Sequence, residues 1–208
     1  MPSSLAPHAL TTAARVKERL TISVTTWDTL FEHLINSATD FIERMSGGRR
    51  FLETTYTQEV YHGGDGYQKA IVLRNFPVTS LTAAQYRAGV PGTPAWTDFD
   101  ASQYELIADK EPRRVRIYSF APAGQNNLRF TYVAGYKIAF ASETTPASHT
   151  LPFDVSDLCE RLVVWHWKMR EAEGKTSETG TEAQVNWRQG LTDDDKELLR
   201  RLTAVVFS

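Results

Sequence analysis

The chain has 208 residues, of which 41% are hydrophobic and 23% charged, a composition typical of a globular protein with a sizeable core. The net charge is −2, from 23 basic and 25 acidic residues, which argues against a general nucleic-acid-binding protein, because such proteins are usually clearly basic. The only cysteine is Cys159, so an internal disulfide and a cysteine-rich zinc site are excluded. The first residues lack a signal-peptide pattern and no apolar run approaches the ~20 residues of a bilayer span, so we expect a cytosolic protein without a membrane segment.

The sequence of the first twenty residues predicts a flexible arm followed by a short helix. Residues 1–9 contain two prolines and small polar residues, which is typical of a flexible arm. A short helix is predicted from Leu10 to about Leu20, with Thr11 or Thr12 at its N-cap.

A longer helix completes the first helical region, residues 10–48. Its N-cap is predicted at Thr25 or Thr26, and Gly47-Gly48 ends it. Its apolar residues recur at helical spacing and form one wide stripe. These residues are Trp27, Leu30, Phe31, Leu34, Ile35, Ala38, Phe41, Ile42 and Met45.

Residues 51–140 change to the two-residue period of strands and predict a β-rich insertion. The runs on either side of residues 63–66 suit a hairpin or a loose loop. A further hairpin is predicted around residues 109–112. The last strand is "NLRFTYVAGY", with Phe130, Tyr132 and Ala134 on one face and Gly135 where the chain turns back towards the helices.

Helical periodicity returns in residues 153–172, with Asp154 as the predicted N-cap and Asp157 in the first turn. Residues 173–190 are polar and predict a mobile loop. The last helix, in residues 191–208, starts with a capping-box pattern of Thr192 and Asp195. The resulting fold class is α+β: a small α-helical bundle from the N- and C-terminal helices, with the β-rich insertion projecting between them, all in one domain of residues 10–208.

The sequence offers only weak candidates for catalysis or metal binding. His62 and Asp65 flank glycines as in a ligand loop, but the lysine and helix start of a phosphate-binding loop are missing, which favours a plain hairpin. Asp193, Asp194 and Asp195 are explained by the dipole of a helix N-terminus better than by a cation site. Cys159 lies among apolar helix positions and is expected to be buried and inert. We therefore expect no enzyme, no cofactor and no metal.

Two further patterns suggest interaction surfaces. Trp165 and Trp167 flank His166 on a helix and point in different directions, so one tryptophan is expected in the core and the other at a subunit contact. On the strand in "KEPRRVR", Arg114 and Arg116 share one face, typical of a solvated face; an acidic partner or passing DNA is the alternative. The apolar end "LTAVVFS" must be docked in its own core or held by a partner.

Three strings, in this order, resemble the head–tail connector (adaptor) proteins of long-tailed bacteriophages. The first is "LTTAARVKERLTIS" followed by "DTLFEHLINSATDFIERMSGGRRF", a short helix leading into a longer one. The second is "FPVTSLTAAQY" with "DASQYELIADKEPRRVRIYS", a Pro-Val strand start and a tyrosine-bearing hairpin. The third is "LRFTYVAGYKI", followed by a proline and the helix "DVSDLCERLVVWHWKMRE". The resemblance covers most of residues 10–172 and ends near residue 173.

The resemblance implies a ring, dodecameric in this family, that docks on the portal at the head–tail junction of the virion after assembly in the host cytoplasm. Its partners would be the portal, neighbouring copies, a downstream neck, stopper or tail protein, and viral DNA that passes through the lumen without sequence-specific contacts. Family members engage the portal through C-terminal elements, so Leu198, Leu202, Val206 and Phe207 are the predicted portal contacts. The alternatives are another neck or tail-completion protein and a small hydrolase that uses His62 and Asp65.

Overall fold

The structure is a computed structural model. It describes residues 4–64, 66, 70–87, 95–107, 113–118, 123–138, 149–170, 178–179, 184–185 and 192–203. The chain divides into two compact units, which are taken separately below. A helical unit comprises Met1–Phe51 and Lys137–Ser208, and a β unit comprises Leu52–Tyr136.

The helical unit joins helices from both ends of the chain, which confirms the predicted α+β class. Its described helices are α1 (Ala13–Leu20), α2 (Asp28–Met45), α3 (Phe153–Met169) and α4 (Asp193–Thr203). Helix α2 packs on the other three, and α1 also packs on α3. Phe31 near the start of α2 contacts Trp167 near the end of α3, and Thr39 contacts Cys159. These pairs make α2 and α3 antiparallel.

The core of the helical unit contains the stripe that the sequence predicted for α2. Within that helix, Phe31, Ile35, Ala38 and Ile42 are buried. The other buried apolar side chains of this unit come from the remaining helices and the flanking segments. They are Ala9, Leu10, Val16, Phe51, Leu151, Val155, Leu158, Cys159, Leu162, Val163 and Leu199. In the described part of the chain, no helix combines the length and the apolar character needed to cross a bilayer.

The helix starts follow the prediction at two helices and differ at the other two. Thr12 is the N-cap of α1, and its hydroxyl accepts a hydrogen bond from the backbone N–H of Arg15 (3.4 Å). Helix α2 instead starts after Trp27, so the predicted cap at Thr25 or Thr26 is wrong. The Thr25 carbonyl accepts from the Asp28 N–H and forms a turn just before the helix.

Helix α3 begins at Phe153, the first residue of the predicted range 153–172, but its cap differs from the prediction. Its N-cap is Pro152 and not Asp154, and the buried Leu151 and Val155 lie on either side of this helix start. Asp154 is the acidic residue of the first turn, a position that the prediction gave to Asp157. The carboxylate of Asp157 instead forms ion pairs with Arg19 and Arg161.

Two separate antiparallel sheets build the β unit. The first has the strand order β1 (Thr54–Tyr61), β7 (Leu128–Ala134), β3 (Val78–Tyr86) and β4 (Thr97–Asp98). The second has the order β2 (Ala70–Val72), β6 (Arg114–Ile117) and β5 (Tyr104–Leu106). The predicted hairpin of β5 and β6 is confirmed. Strands β1 and β2 lie in different sheets, so the predicted hairpin across residues 63–66 is wrong.

Strand β7 is the last strand of this unit and lies at the centre of the larger sheet. Leu128, Phe130, Tyr132 and Ala134 alternate with half-buried residues and are buried. The predicted face of β7 is therefore confirmed. Buried side chains from both sheets form one apolar cluster with this face.

Gly135 follows β7 and ends it, as the sequence predicted. Its φ of +113° is a backbone conformation that side-chain-bearing residues rarely adopt. A Cβ atom there would lie 2.7 Å from the carbonyl oxygen of Leu52. The next residue, Tyr136, accepts a backbone hydrogen bond from Glu53 (2.8 Å). The close approach of two chain segments therefore requires glycine.

Two segments at the edges of the helical unit were expected to be mobile. Residues 4–9 of the predicted arm contact α2, since the Ala6 N–H donates to the Asn36 side chain (2.9 Å), which itself donates to the Ser4 carbonyl (3.0 Å). Most of the predicted loop of residues 173–190 lies outside the described residues. Its described parts are the paired strands β8 (Glu178–Thr179) and β9 (Gln184–Val185).

Candidate interaction surfaces

Helix α4 is fixed to the helical unit by its first turn. The Thr192 N–H donates to the Asp195 carboxylate (2.9 Å), and the Asp195 N–H donates to the Thr192 hydroxyl (3.2 Å), which confirms the predicted capping box. Nη1 of Arg161 on α3 lies 2.6 Å from Oδ1 of Asp195. The Asp195 side chain is only 5% exposed. An ion pair between the buried Asp195 carboxylate and the partly exposed Arg161 therefore ties the start of α4 to α3.

The pKa of Asp195 reflects these contacts. Burial acts to raise the pKa of this carboxyl group, but it is outweighed by the hydrogen bonds from Thr192 and by the Arg161 guanidinium, so the net pKa is lowered. The carboxylate form is thus the one that holds α4.

The leucines of α4 differ in their surroundings. Leu199 is buried in the unit's own core, whereas Leu198 and Leu202, two of the predicted portal contacts, are half-buried. The Leu202 carbonyl accepts a hydrogen bond from Nη1 of Arg49 (3.3 Å), which holds the end of the helix. Val206 and Phe207, the other two predicted contacts, lie outside the described residues.

Trp167, one of the two predicted subunit contacts, has aromatic neighbours within its own unit. Its ring centroid lies 4.6 Å from that of Phe31 and 5.3 Å from that of Trp27. The Arg170 guanidinium stacks on the Trp167 ring at 3.5 Å and lies 4.6 Å from the Trp27 ring. These contacts fix the packing of the end of α3 on the start of α2.

Trp165, the other predicted subunit contact, lines an open groove between α2 and α3. The groove has a volume of about 340 Å³. Its walls are mostly apolar, with two basic side chains among them. They are formed by Ser37, Ala38, Phe41 and Arg44 of α2 and by Leu162, Trp165 and His166 of α3. The structure therefore places Trp165 beside an unfilled apolar surface, and Trp167 in an aromatic cluster.

Phe153 is a second apolar feature on α3, and it was not among the predicted site residues. Its side chain is 77% exposed at the first residue of the helix. A sequence signal was available, because Phe153 falls outside the apolar stripe of α3 that contains Val155, Leu158 and Leu162. A large apolar residue off the buried stripe is a candidate contact residue.

The residues proposed for a hydrolase do not form a catalytic pair in the described structure. His62 is exposed, and its Nδ1 accepts a hydrogen bond from the backbone N–H of Asn126 (3.1 Å). Asp65 lies outside the described residues. Cys159 is fully buried, and burial raises the pKa of its thiol to about 12, so the thiol stays protonated and unreactive near neutral pH.

One group of described residues, His8, Asp40 and Glu43, has metal-ligand atoms within 4.8 Å of one another. Each of these residues has a protein partner. Nε2 of His8 lies 3.3 Å from Oδ1 of Asp40, and the Glu43 carboxylate accepts a hydrogen bond from the Phe51 N–H (3.2 Å). We therefore assign the group a structural role, in which the N-terminal segment and Phe51 are held against α2.

The β unit contains a polar cluster around the carboxylate of Glu59. The hydroxyls of Tyr61 (2.5 Å) and Tyr132 donate to Oε2 of Glu59, and Nη1 of Arg74 lies 3.1 Å from Oε1. Asn75 donates to the Tyr132 hydroxyl (3.3 Å). Burial raises the pKa of both tyrosines, so both phenols remain protonated donors. The cluster links β1 to β7 and has the character of a structural network.

The basic strand face was predicted correctly. On β6, Arg114 and Arg116 are exposed and alternate with the buried Val115 and Ile117. Arg116 forms an ion pair with Glu105 on the neighbouring strand (3.0 Å).

No protein-family model and no curated protein matches this chain. Solved structures do match, among them a chain described as "Neck of empty GTA particle computed with C6 symmetry". That alignment covers 100% of this chain and 93% of the other chain, with a TM-score of 0.55 and 16% sequence identity. At this identity the likeness concerns the fold, and it extends over both the helical unit and the β unit.

Proposed function

We propose that this protein is a structural head–tail connector, or adaptor, of a tailed phage or phage-like particle. In this role copies of the chain form a ring that docks on the portal, lengthens the DNA channel and provides a platform for the next neck or tail component. The observation that carries the proposal is the fold shared over the whole chain with a neck chain of a GTA particle, a phage-like gene transfer agent. The order of sequence strings in residues 10–172 supports the same role independently.

Ring assembly is supported by the symmetry of that neck. A neck reconstructed with C6 symmetry contains its chains in rings around the particle axis. A dodecamer, with two copies in each of six symmetry-related positions, is compatible with such an axis. We propose a twelve-membered ring for this protein, located in the virion at the head–tail junction and assembled in the host cytoplasm.

Contact with the portal is assigned to the last helix and the residues that follow it. The Asp195–Arg161 pair holds the start of α4, which leaves the half-buried Leu198 and Leu202 as apolar positions towards the chain's end. Val206 and Phe207 extend this apolar sequence. Apolar side chains that are incompletely covered within one subunit are suited to a partner protein.

The proposed role is non-enzymatic and needs no cofactor. DNA would pass through the lumen without sequence-specific binding, and the net charge of −2 is compatible with passage that avoids strong attraction to phosphates.

The alternative is another neck or tail-completion protein, which the same structural likeness supports because the matching chain is described as a neck chain without further detail.

Sedimentation of the purified protein, with and without the cognate portal, tests the proposal. A connector is expected to co-sediment with the portal as a stoichiometric ring. A monomer or small oligomer that never joins the portal, but joins tail components, would favour the tail-completion alternative. The mass of the purified portal complex then gives the number of copies.

A further inference from the structure

We propose that Phe153 of one copy inserts into the groove between α2 and α3 of the next copy, and that this contact joins neighbouring subunits head to tail. The inference rests on the proposed ring function and identifies the surfaces that form the ring. Both surfaces belong to the helical unit.

The inserted side chain would be the most exposed large apolar residue of the described structure. Phe153 is 77% exposed at the first residue of α3, and its ring centroid lies 6.5 Å from that of His149. An aromatic side chain left in water at a rigid helix end is a typical interface anchor, because it loses little conformational entropy on binding.

The receiving surface has the size and the chemistry for a phenyl ring. The groove of about 340 Å³ is lined by Phe41, Leu162 and Trp165, and it is open to solvent. All of its lining residues among those that the structure describes belong to α2 and α3. Burial of Phe153 there would remove apolar surface of both copies from water.

The two surfaces lie where a ring contact requires them. Phe153 and Trp165 are twelve residues apart on α3, which is roughly 18 Å along a helix axis at 1.5 Å per residue. Leu162, Trp165 and His166 point about 120–220° round the helix from Phe153, at 100° per residue. The anchor and the groove therefore lie on opposite sides of α3. Two such different surfaces pair head to tail, and this pairing gives a ring when the rotation between copies closes, whereas a two-fold dimer would pair one surface with itself.

The charges around the two surfaces are complementary. The exposed carboxylate of Asp154 lies beside Phe153, and the exposed guanidinium of Arg44 lines the groove. The His166 imidazole also lines the groove. Insertion of Phe153 would bring Asp154 towards Arg44, which sets the orientation of the neighbouring subunit. This complementarity within one sequence favours a second copy of the chain as the occupant.

Cysteine cross-linking between neighbours tests the contact while it leaves Phe153 in place. The variant carries Thr150→Cys, at an exposed residue just before Phe153, and Ser37→Cys at the groove, so Phe153 and Asp154 both stay in place, and the buried native Cys159 does not compete. Purified protein, alone and with the cognate portal, is treated with a short bis-maleimide. We expect a ladder of covalent multimers that ends at the full ring. A mixture of the two single variants is expected to stop at covalent dimers, because each chain then carries one reactive end.

Phe153→Ala in the double-cysteine background is expected to reduce cross-linking at least roughly tenfold, as removal of a central aromatic anchor does. The matched control is Val24→Ala in the same background, which truncates another exposed apolar side chain (52% exposed) and should leave the ladder intact. Circular dichroism verifies that both variants are folded.

The possible outcomes distinguish failure of the proposed Phe153 contact from failure of the proposed connector function. Rings that sediment normally but give no ladder overturn the contact and leave the connector proposal standing. Cross-linked dimers from the single Thr150→Cys variant also overturn it, because they indicate a symmetric pairing of Phe153 surfaces. Failure to assemble both alone and on the portal overturns the contact and the connector function together.

Discussion

Nη1 of Arg161 on α3 lies 2.6 Å from Oδ1 of Asp195. The same Asp195 side chain accepts a hydrogen bond from the Thr192 N–H and so forms the capping box at the start of α4. One carboxylate therefore fixes the start of α4 and attaches it to the rest of the helical unit. Because α4 carries Leu198 and Leu202, this attachment determines where the proposed portal contacts are presented.

Asp195→Ala should release α4 from the helical unit. Loss of the cap costs about 1 kcal/mol, and loss of the ion pair adds to it. Amide hydrogen exchange in Asp193–Thr203 should accelerate roughly fivefold or more, with little change in α2. The matched control is Asp194→Ala, an exposed neighbour in the same turn. Equal acceleration in both variants would contradict the role assigned to Asp195.

Leu198→Ala and Leu202→Ala should weaken portal binding while the fold is retained. Truncation of central apolar contacts costs about tenfold or more in affinity. Arg200→Ala on the same helix is the control, because this side chain is 78% exposed and lies outside the proposed contact. Deletion of residues 203–208 should also weaken binding. Unchanged capture of portal by the deletion variant in a pull-down would refute the C-terminal assignment.

Gly135→Ala should destabilise the β unit strongly. The substituted Cβ would lie 2.7 Å from the Leu52 carbonyl oxygen at a φ of +113°, so we expect a cost above ~3 kcal/mol. Gly48 is the control: its φ is +78°, but a Cβ would meet no atom within 4 Å, so Gly48→Ala should cost only about 1–2 kcal/mol of backbone strain. Urea unfolding measures both costs. Similar costs would mean that Leu52 moves aside readily.

Tyr132→Phe should cost about 1–3 kcal/mol, because it removes a donor from the Glu59 carboxylate and an acceptor from Asn75. Tyr104→Phe is the control, since the Tyr104 hydroxyl has no hydrogen bond to any residue that the structure describes. Its loss should change stability by less than about 0.5 kcal/mol. Equal urea midpoints for the two variants would show that the cluster around Glu59 adds nothing to stability.

Glu43 should make the helical unit less stable as the pH rises. Burial raises the pKa of this carboxyl group above its usual value, in spite of the Phe51 hydrogen bond and the nearby Arg50, which lower it. A raised pKa in the folded state means that the stabilising contribution is fully present below the ordinary pKa and is lost as the pH passes through the folded pKa. Glu43→Gln removes this titration.

The free energies of unfolding of wild type and Glu43→Gln should therefore diverge from about pH 4 upwards, in favour of the variant. A constant difference across this range would contradict the assignment. Glu32→Gln, at a carboxyl group on the same helix outside the group of His8, Asp40 and Glu43, serves as the control.

The parts of the fold that depend on residues close together in the sequence were predictable from it. Helix α2, the alternating faces of β6 and β7, the capping box of α4 and the turn at Gly135 each depend on local spacing. The pairing of β1 with β7 and of β2 with β6 was not predictable, because the partners are far apart in the sequence. Pro152 displaced Asp154 as a cap because tertiary packing at Leu151 and Val155 sets where α3 begins.

The candidate surfaces were only partly predictable for the same reason. Trp165 was singled out by its residue type, but the groove beside it needs Phe41 and Arg44 from another helix. Phe153 was visible as an apolar residue off the stripe of α3. Its 77% exposure, which makes it a candidate contact residue, is a property of the folded helical unit.

Reconstruction of the neck of the assembled particle by electron cryomicroscopy tests the central claim most directly. The connector proposal predicts a closed ring of this chain, with its helical and β units resolved, between the portal and the next neck or tail component. A neck whose density accounts for every chain without this protein, or a position of this protein elsewhere in the particle, would contradict it.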